Sequence, residues 1–402
     1  MSDYKINSLD GLRGLASITV IFSHITMMFY PYLHFGLSSN SQPSNSAKFL
    51  FNSPFTFFYK GTSAVMLFFV MSGFVLTYSL LRRGWTSEFV KLAITKRYFR
   101  LNIPVAASII ICYILIKIGF FHAAEFGITL PLSSAYTIDY GFFEALRQAL
   151  YGSLILGQGS FNYVLWTINI EFFGSLMVYF LVVFFSHSRF MLRLVCLAIA
   201  TGTLVSSTPF IWGMGLFAAG VFLATFDVRE SNSLSSKIIS LSTFLFGIYL
   251  YGFNSESKSY SYITMIIDIA NNNGFNISKG FFVSIIGTIM IISCFCINAN
   301  VFKLLGRGFF RWLGKISFSI YLTHSIILAA VSPYVINYFG LGITSILACV
   351  FIVIPLTVAA SWAFCELFDV TAINYCKKYA TIINNFSLAK IKLALKKTRA
   401  TA

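Results

Sequence analysis

Charge is what this chain lacks most. Only 10% of its 402 residues are Asp, Glu, Lys or Arg, against about 25% in a soluble globular domain. That excludes a water-covered surface over most of the chain. Its seven cysteines lie almost all in or beside apolar segments, where Cys packs as a small apolar residue. Cys294 and Cys296 are two apart and fall on different helix faces, which suits neither a zinc site nor a redox pair. No internal repeat is visible, so the inverted-repeat signature of many transporters is missing. The first apolar segment has neither a strongly basic leader nor a convincing cleavage site, so no cleaved signal peptide is expected. No appended soluble domain is expected either.

What remains describes a membrane protein. The chain is 57% hydrophobic with 45 Phe, and its mean hydropathy is +0.79. Apolar segments near 11–32, 61–81, 103–121, 165–185, 190–206, 211–226, 238–253, 280–298, 316–336 and 342–364 approach the roughly 17–25 residues a bilayer needs. The expected fold is all-α: a polytopic integral membrane helical bundle of about ten transmembrane helices. With the N-terminus inside, Arg82, Arg83, Lys91, Lys96, Arg97 and Arg100 share the cytoplasmic side with Lys303, Arg307, Arg311 and Lys315. This asymmetry follows the positive-inside rule and places both termini in the cytoplasm. The net charge of +16 then serves topology and contact with anionic membrane lipid. No nucleic acid is expected as a partner, because the basic residues are not gathered into one footprint.

Residues 1–370 are read as one membrane-embedded domain, and 371–402 as a basic cytoplasmic tail carrying Lys390, Lys392, Lys396, Lys397 and Arg399. Residues 82–102 are expected as a basic inner loop and 254–279 as a polar outer loop. Within the long outer segment 122–164, Phe142–Leu156 reads as an interfacial or re-entrant helix.

Four clusters carry polar chemistry inside this apolar frame. His24 lies near the middle of the first span, where an ionisable group is a functional candidate by default. Arg13 is eleven residues earlier, close to three turns, so both share one helix face about 16 Å apart along the axis. A neutral His at that depth can take a proton from a hydroxyl. The second cluster is Trp166-Thr167-Ile168-Asn169-Ile170-Glu171. Glu171 is placed at a depth similar to His24, where it can orient the imidazole, bind acceptor hydroxyls, or simply neutralise a buried Arg. Trp166 is either an interfacial anchor or a platform for a sugar.

The third cluster runs from Lys96-Arg97 through Arg100 to Pro104. Arg97 and Arg100 are three apart and neighbours on a helix; paired guanidiniums suit phosphate, although ordinary positive-inside charge is an equal reading. The fourth is Ser317-Phe318-Ser319-Ile320-Tyr321-Leu322-Thr323-His324, with Tyr321 and His324 placed either to touch substrate or to bond a neighbouring helix. Ser72-Gly73 permits close helix approach. Nothing in the sequence points to a metal site.

Taken in order, Leu9-Asp10-Gly11-Leu12-Arg13-Gly14 with His24, Phe68-Phe69-Val70-Met71-Ser72-Gly73-Phe74, Lys96-Arg97 to Pro104, Trp166-Thr167 to Glu171, Tyr321-Leu322-Thr323-His324 and Glu366 resemble the membrane-bound acyltransferase family 3. The resemblance runs from Leu9 to about Asp369. It implies an enzyme that moves an acyl group, most often acetyl, from cytoplasmic acyl-CoA (acetyl-CoA) to a hydroxyl of a cell-surface or lipid-linked carbohydrate, such as an O-antigen or an exopolysaccharide. It implies the cytoplasmic membrane of a bacterium as the location. By motif match, Arg13 and His24 are the essential pair, and Glu171, in the acceptor region, is counted with them as catalytic. Arg97 and Arg100, with Lys96, hold CoA phosphates, and Trp166, Asn169, Tyr321 and His324 lie toward the acceptor. Glu366 lacks the proline often found just after it and is given no catalytic role. Direct transfer and an acyl-His intermediate both fit. On residues alone, a proton-coupled transporter of a glycan precursor or small metabolite, with His24 and Glu171 as relay, stands level with the enzyme. An inert scaffold in polysaccharide assembly is the third class.

Overall fold

Each of the ten apolar segments forms a helix in the computed structural model, which describes residues 6–36, 43–126, 136, 140–204, 206, 208–275, 277–340 and 342–378. They are α1 (Asn7–Phe29), α2 (Gly61–Arg83), α3 (Ser87–Lys117), α4 (Trp166–Phe185), α5 (Arg189–Gly202), α6 (Pro209–Ala224), α7 (Leu234–Tyr251), α8 (Phe282–Asn298), α9 (Gly308–Phe339) and α10 (Ile343–Phe364). Eight are long and apolar enough to cross a membrane, while α5 and α6 are shorter, at 14 and 16 residues. The described residues contain no strand, and the chain is an all-α polytopic membrane bundle. In lipid, only a helix or a closed barrel satisfies its own backbone, so the apolar composition and the helical fold have one cause.

Three segments differ from expectation. The basic stretch 82–102 is not a loop: α3 begins at Ser87, where the Thr86 hydroxyl accepts from the Phe89 amide and Glu88 lies in the first turn. An oxygen cap followed by an acid starts a helix whatever the hydropathy of the next turns. Residues 254–279 contain the helix Ser261–Asn272. The last helix continues past 370 to Lys378 through a wide π-helical turn at Cys365–Asp369, and the lysines from 390 onward lie outside the described residues.

Phe142–Leu156 is helical, as read from its apolar pattern. Its start packs on Tyr113 of α3 through Phe142, and its Leu150 carbonyl accepts from Tyr98 of the same helix (2.7 Å). Those partners are fifteen residues apart, about 22 Å at helical rise, so the segment descends along α3.

Backbone-to-backbone approach sets the packing near the site. A Cβ on Gly11 of α1 would strike the Leu305 carbonyl, and one on Gly314 of α9 would strike the Asp10 carbonyl. Gly73 of α2 and Gly220 of α6 face each other's helix backbones in the same way. Small residues replace hydrophobic drive as the basis of helix association in lipid. The most enclosed helices are α2 and α9, whereas α7 and α10 turn mostly outward.

Candidate functional site

A cavity of about 750 Å³ opens among α1, α2, α3, α4, α9 and the extension of α10. That volume lies within the range of small-molecule sites, roughly 300–1,000 Å³. Its wall is unusually basic for a membrane interior: Arg13 from α1, Arg97 and Arg100 from α3, Arg311 and Lys315 from α9. The close α1–α9 packing brings Arg13 and Arg311 to one chamber, and the π-helical turn brings Asp369 and Cys365 to it.

Two of these cations are neutralised. Arg97 forms an ion pair with Glu171 and donates to the Ser175 hydroxyl (2.7 Å), while Ser72 donates to the same Glu171 oxygen (2.9 Å). Both partners are largely buried, with side-chain exposures of 11% and 16%. Lys315 donates to Glu366 at 2.5 Å. Arg13, Arg100 and Arg311 have no ion pair or hydrogen bond from their guanidiniums among the described residues. Three such groups facing one chamber repel each other, and a planar donor fork is shaped for phosphate or carboxylate.

A second polar cluster lies outside that cavity. His24 Nδ1 and His324 Nε2 are 2.8 Å apart, with ring planes within 1° and centroids 5.0 Å apart. His324 is fully buried, and its Nδ1 donates to the Ile320 carbonyl at 3.0 Å. The Tyr163 ring meets His24 edge-on at 5.5 Å, and its hydroxyl is buried without a hydrogen-bond partner among the described residues. Tyr321 stands between cavity and histidines. It lines the cavity, its ring is 5.8 Å from His324, and its hydroxyl donates to the Val164 carbonyl (2.7 Å) while accepting from Thr167 (2.8 Å).

The sequence-derived residues therefore divide. Arg13, Arg97, Arg100, Glu171 and Tyr321 meet in the cavity wall, whereas His24 and His324 meet each other. Glu171 does not orient His24. It is bonded to Arg97 and Ser72, because α3 reaches further along α4 than a helix starting at 103 would allow. Asn169 lies outside the cavity wall: its amide donates to the Leu154 and Ile155 carbonyls (3.3 and 2.5 Å) and so closes the end of the descending helix. Trp166 is 37% exposed and outside the cavity wall. Lys96 is outside it too, its carbonyl bonded by Cys376 at 3.4 Å. Glu366, expected to be non-catalytic, holds Lys315.

Sequence reading missed Arg311 and Tyr163. Arg311 sits with Lys315 one turn apart, a pair counted only as inner-side charge. Tyr163 gave no signal, since its hydroxyl gains meaning only beside His24. Ser72 was read as packing and instead supports Glu171.

Relatives of known name agree on one class of chemistry. O-acetyltransferase PaAT-1 of Phomopsis amygdali is 24% identical over 263 residues, covering 58% of this chain and 51% of the relative. Acyltransferase clz18 of Cochliobolus lunatus is 32% identical over 141 residues, covering 28% of this chain and 30% of that protein. Acyltransferase R4 of a Phoma species is 31% identical over 142 residues, with the same coverage. The chain spans about half or less of the length of these curated relatives. No solved structure matches it. The family profile for the acyltransferase domain, however, matches residues 6–366, nearly the whole chain. The chain belongs to that family, the membrane-bound acyltransferase family 3.

Proposed function

We propose that this acyltransferase takes an acyl group, most readily acetyl, from cytoplasmic acyl-CoA and transfers it to a hydroxyl of a cell-surface or lipid-linked carbohydrate. The observation that carries the donor is the set of three guanidiniums without an ion pair among the described residues, Arg13, Arg100 and Arg311, around a cavity of about 750 Å³. CoA brings three phosphates to such a wall, and charge-assisted bidentate bonds are its natural complement. Arg97, already held by Glu171, shapes the wall and adds field rather than a free fork.

The acyl-bearing arm then extends past Tyr321, whose bonds to Val164 and Thr167 open as it enters. His24 takes the acceptor's hydroxyl proton, and the oxygen attacks the thioester carbonyl. The carbon–sulfur bond breaks, and the leaving thiolate receives the proton from His24. Tyr163, with its buried free hydroxyl, is placed to bond the acceptor or the developing oxyanion. The name O-acetyltransferase carried by one relative supports acetyl and an oxygen acceptor. The carbohydrate acceptor and a bacterial cytoplasmic membrane rest on the motif resemblance; the three relatives named above are fungal.

Glycan mass spectrometry tests this reading in host cells lacking the protein, complemented with wild type or His24→Ala. An acetyl-sized mass gain with wild type alone supports it. An unchanged glycan in all strains removes the carbohydrate acceptor, and a gain with both constructs removes His24 from the chemistry.

A further inference from the structure

We infer that His324 is a positioning residue that fixes His24 in one tautomer, with its Nε2 lone pair bare. The inference rests on the acyl-transfer reading for its purpose but not for its geometry.

The hydrogen bonds leave one arrangement. The Ile320 carbonyl only accepts, so the 3.0 Å contact places the proton of His324 on Nδ1. A neutral imidazole carries one N–H, so His324 Nε2 is an acceptor. His24 Nδ1, 2.8 Å from it, must then donate, and His24 Nε2 is left without a proton. The ring geometry agrees. Parallel planes, nitrogens 2.8 Å apart and centroids 5.0 Å apart describe two rings meeting edge to edge, with the bond in their common plane. The alternative, a charged His324 donating through both nitrogens, would place a cation at 0% exposure among Tyr321, His24 and Ile320 with no carboxylate bonded to it among the described residues.

The chain of bonds ends on an amide carbonyl, which neither takes nor supplies a proton. His324 is therefore no relay. It does for His24 what an outer hydrogen-bond partner does for a ligating imidazole: it selects the tautomer, fixes the ring and raises the basicity of the outer nitrogen. When His24 is protonated on Nε2, its Nδ1–H bond to His324 becomes charge-assisted and strengthens. The two residues are 300 apart in sequence, and α1 and α9 are brought together by the Gly14 and Gly314 contacts.

The test is ¹⁵N spectroscopy of histidine-labelled protein in nanodiscs, with His24 assigned by its loss in His24→Gln. Wild type is expected to show a protonated Nδ1 and a bare Nε2 at His24, a result that needs no variant to fold. His324→Leu should return His24 to a mixture of tautomers. It should also lower kcat for transfer from ¹⁴C-acetyl-CoA into host-membrane glycolipid by about 100-fold, with KM for acetyl-CoA unchanged. His324→Gln, which keeps an acceptor at the position of Nε2, should recover most of that loss. A protonated Nε2 at His24 in wild type overturns the inference. So does a wild-type tautomer retained in His324→Leu, or a kcat no better in His324→Gln than in His324→Leu. A bare Nε2 in a protein that transfers no label would overturn the acyl-transfer reading and leave the positioning assignment standing.

Discussion

The two polar regions of this bundle handle charge in opposite ways. The cavity holds three guanidiniums that have no ion pair among the described residues and fixes its shape with ion pairs, Arg97 to Glu171 and Lys315 to Glu366. The histidine pair has no carboxylate bonded to it among the described residues, is closed in by Tyr163 and Tyr321, and completes its hydrogen bonds with a backbone carbonyl. A polyanionic ligand needs fixed charge it can reach. Proton transfer from a hydroxyl needs a neutral base held in one orientation. α1 belongs to both, with Arg13 in the first region and His24 in the second. The one face of α1 that carries both residues thus serves two regions, with Tyr321 touching each.

The division is broken most sharply at His24. His24→Ala should lower kcat by about 10³-fold while leaving the affinity for CoA unchanged, measured by label transfer and by equilibrium binding. A parallel fall in CoA affinity would merge the two regions into one. The second effect is the reverse. Arg13→Gln and Arg100→Gln should each raise KM for acetyl-CoA by about tenfold, the lower end for a charge-assisted bond, with kcat spared.

A third prediction concerns shape rather than binding. Glu171→Gln leaves Arg97 without its counter-ion in a largely buried position and should destabilise the fold by about 3 kcal/mol. Thermal unfolding in nanodiscs would show it, and replacing Arg97 and Glu171 together by Leu should restore most of the loss. The smallest effect belongs to Asn169→Ala. Freeing the Leu154 and Ile155 carbonyls should cost about 1 kcal/mol and leave KM for the acceptor unchanged. A large rise in KM would return Asn169 to the binding wall.

What could be read from the sequence follows a physical line. Helices in lipid are written locally, in apolar length and in breaks between segments, so all ten were visible. The start of α3 was not, because apolar content hides a helix whose first turns are basic; the cap at Thr86 and the acid at Glu88 were the readable signal. Candidate residues were visible because a charge inside an apolar run stands out on its own. Their partners were not. Arg97 meets Glu171 across 74 residues and His24 meets His324 across 300, and depth arithmetic alone paired Glu171 with the wrong helix. The tertiary contacts decide which polar group each charge answers.

The account's central claim is that unpaired arginines hold the phosphates of the donor. It is tested most directly by the binding of CoA and of pantetheine to wild type and to the Arg13→Gln/Arg100→Gln protein in nanodiscs. Wild type is predicted to prefer CoA by about 10³-fold, as expected for three charge-assisted contacts, and the double variant, which keeps Arg311, to lose about 100-fold of that preference. Equal affinity for the two ligands in wild type, or an undiminished preference for CoA in the variant, would contradict it.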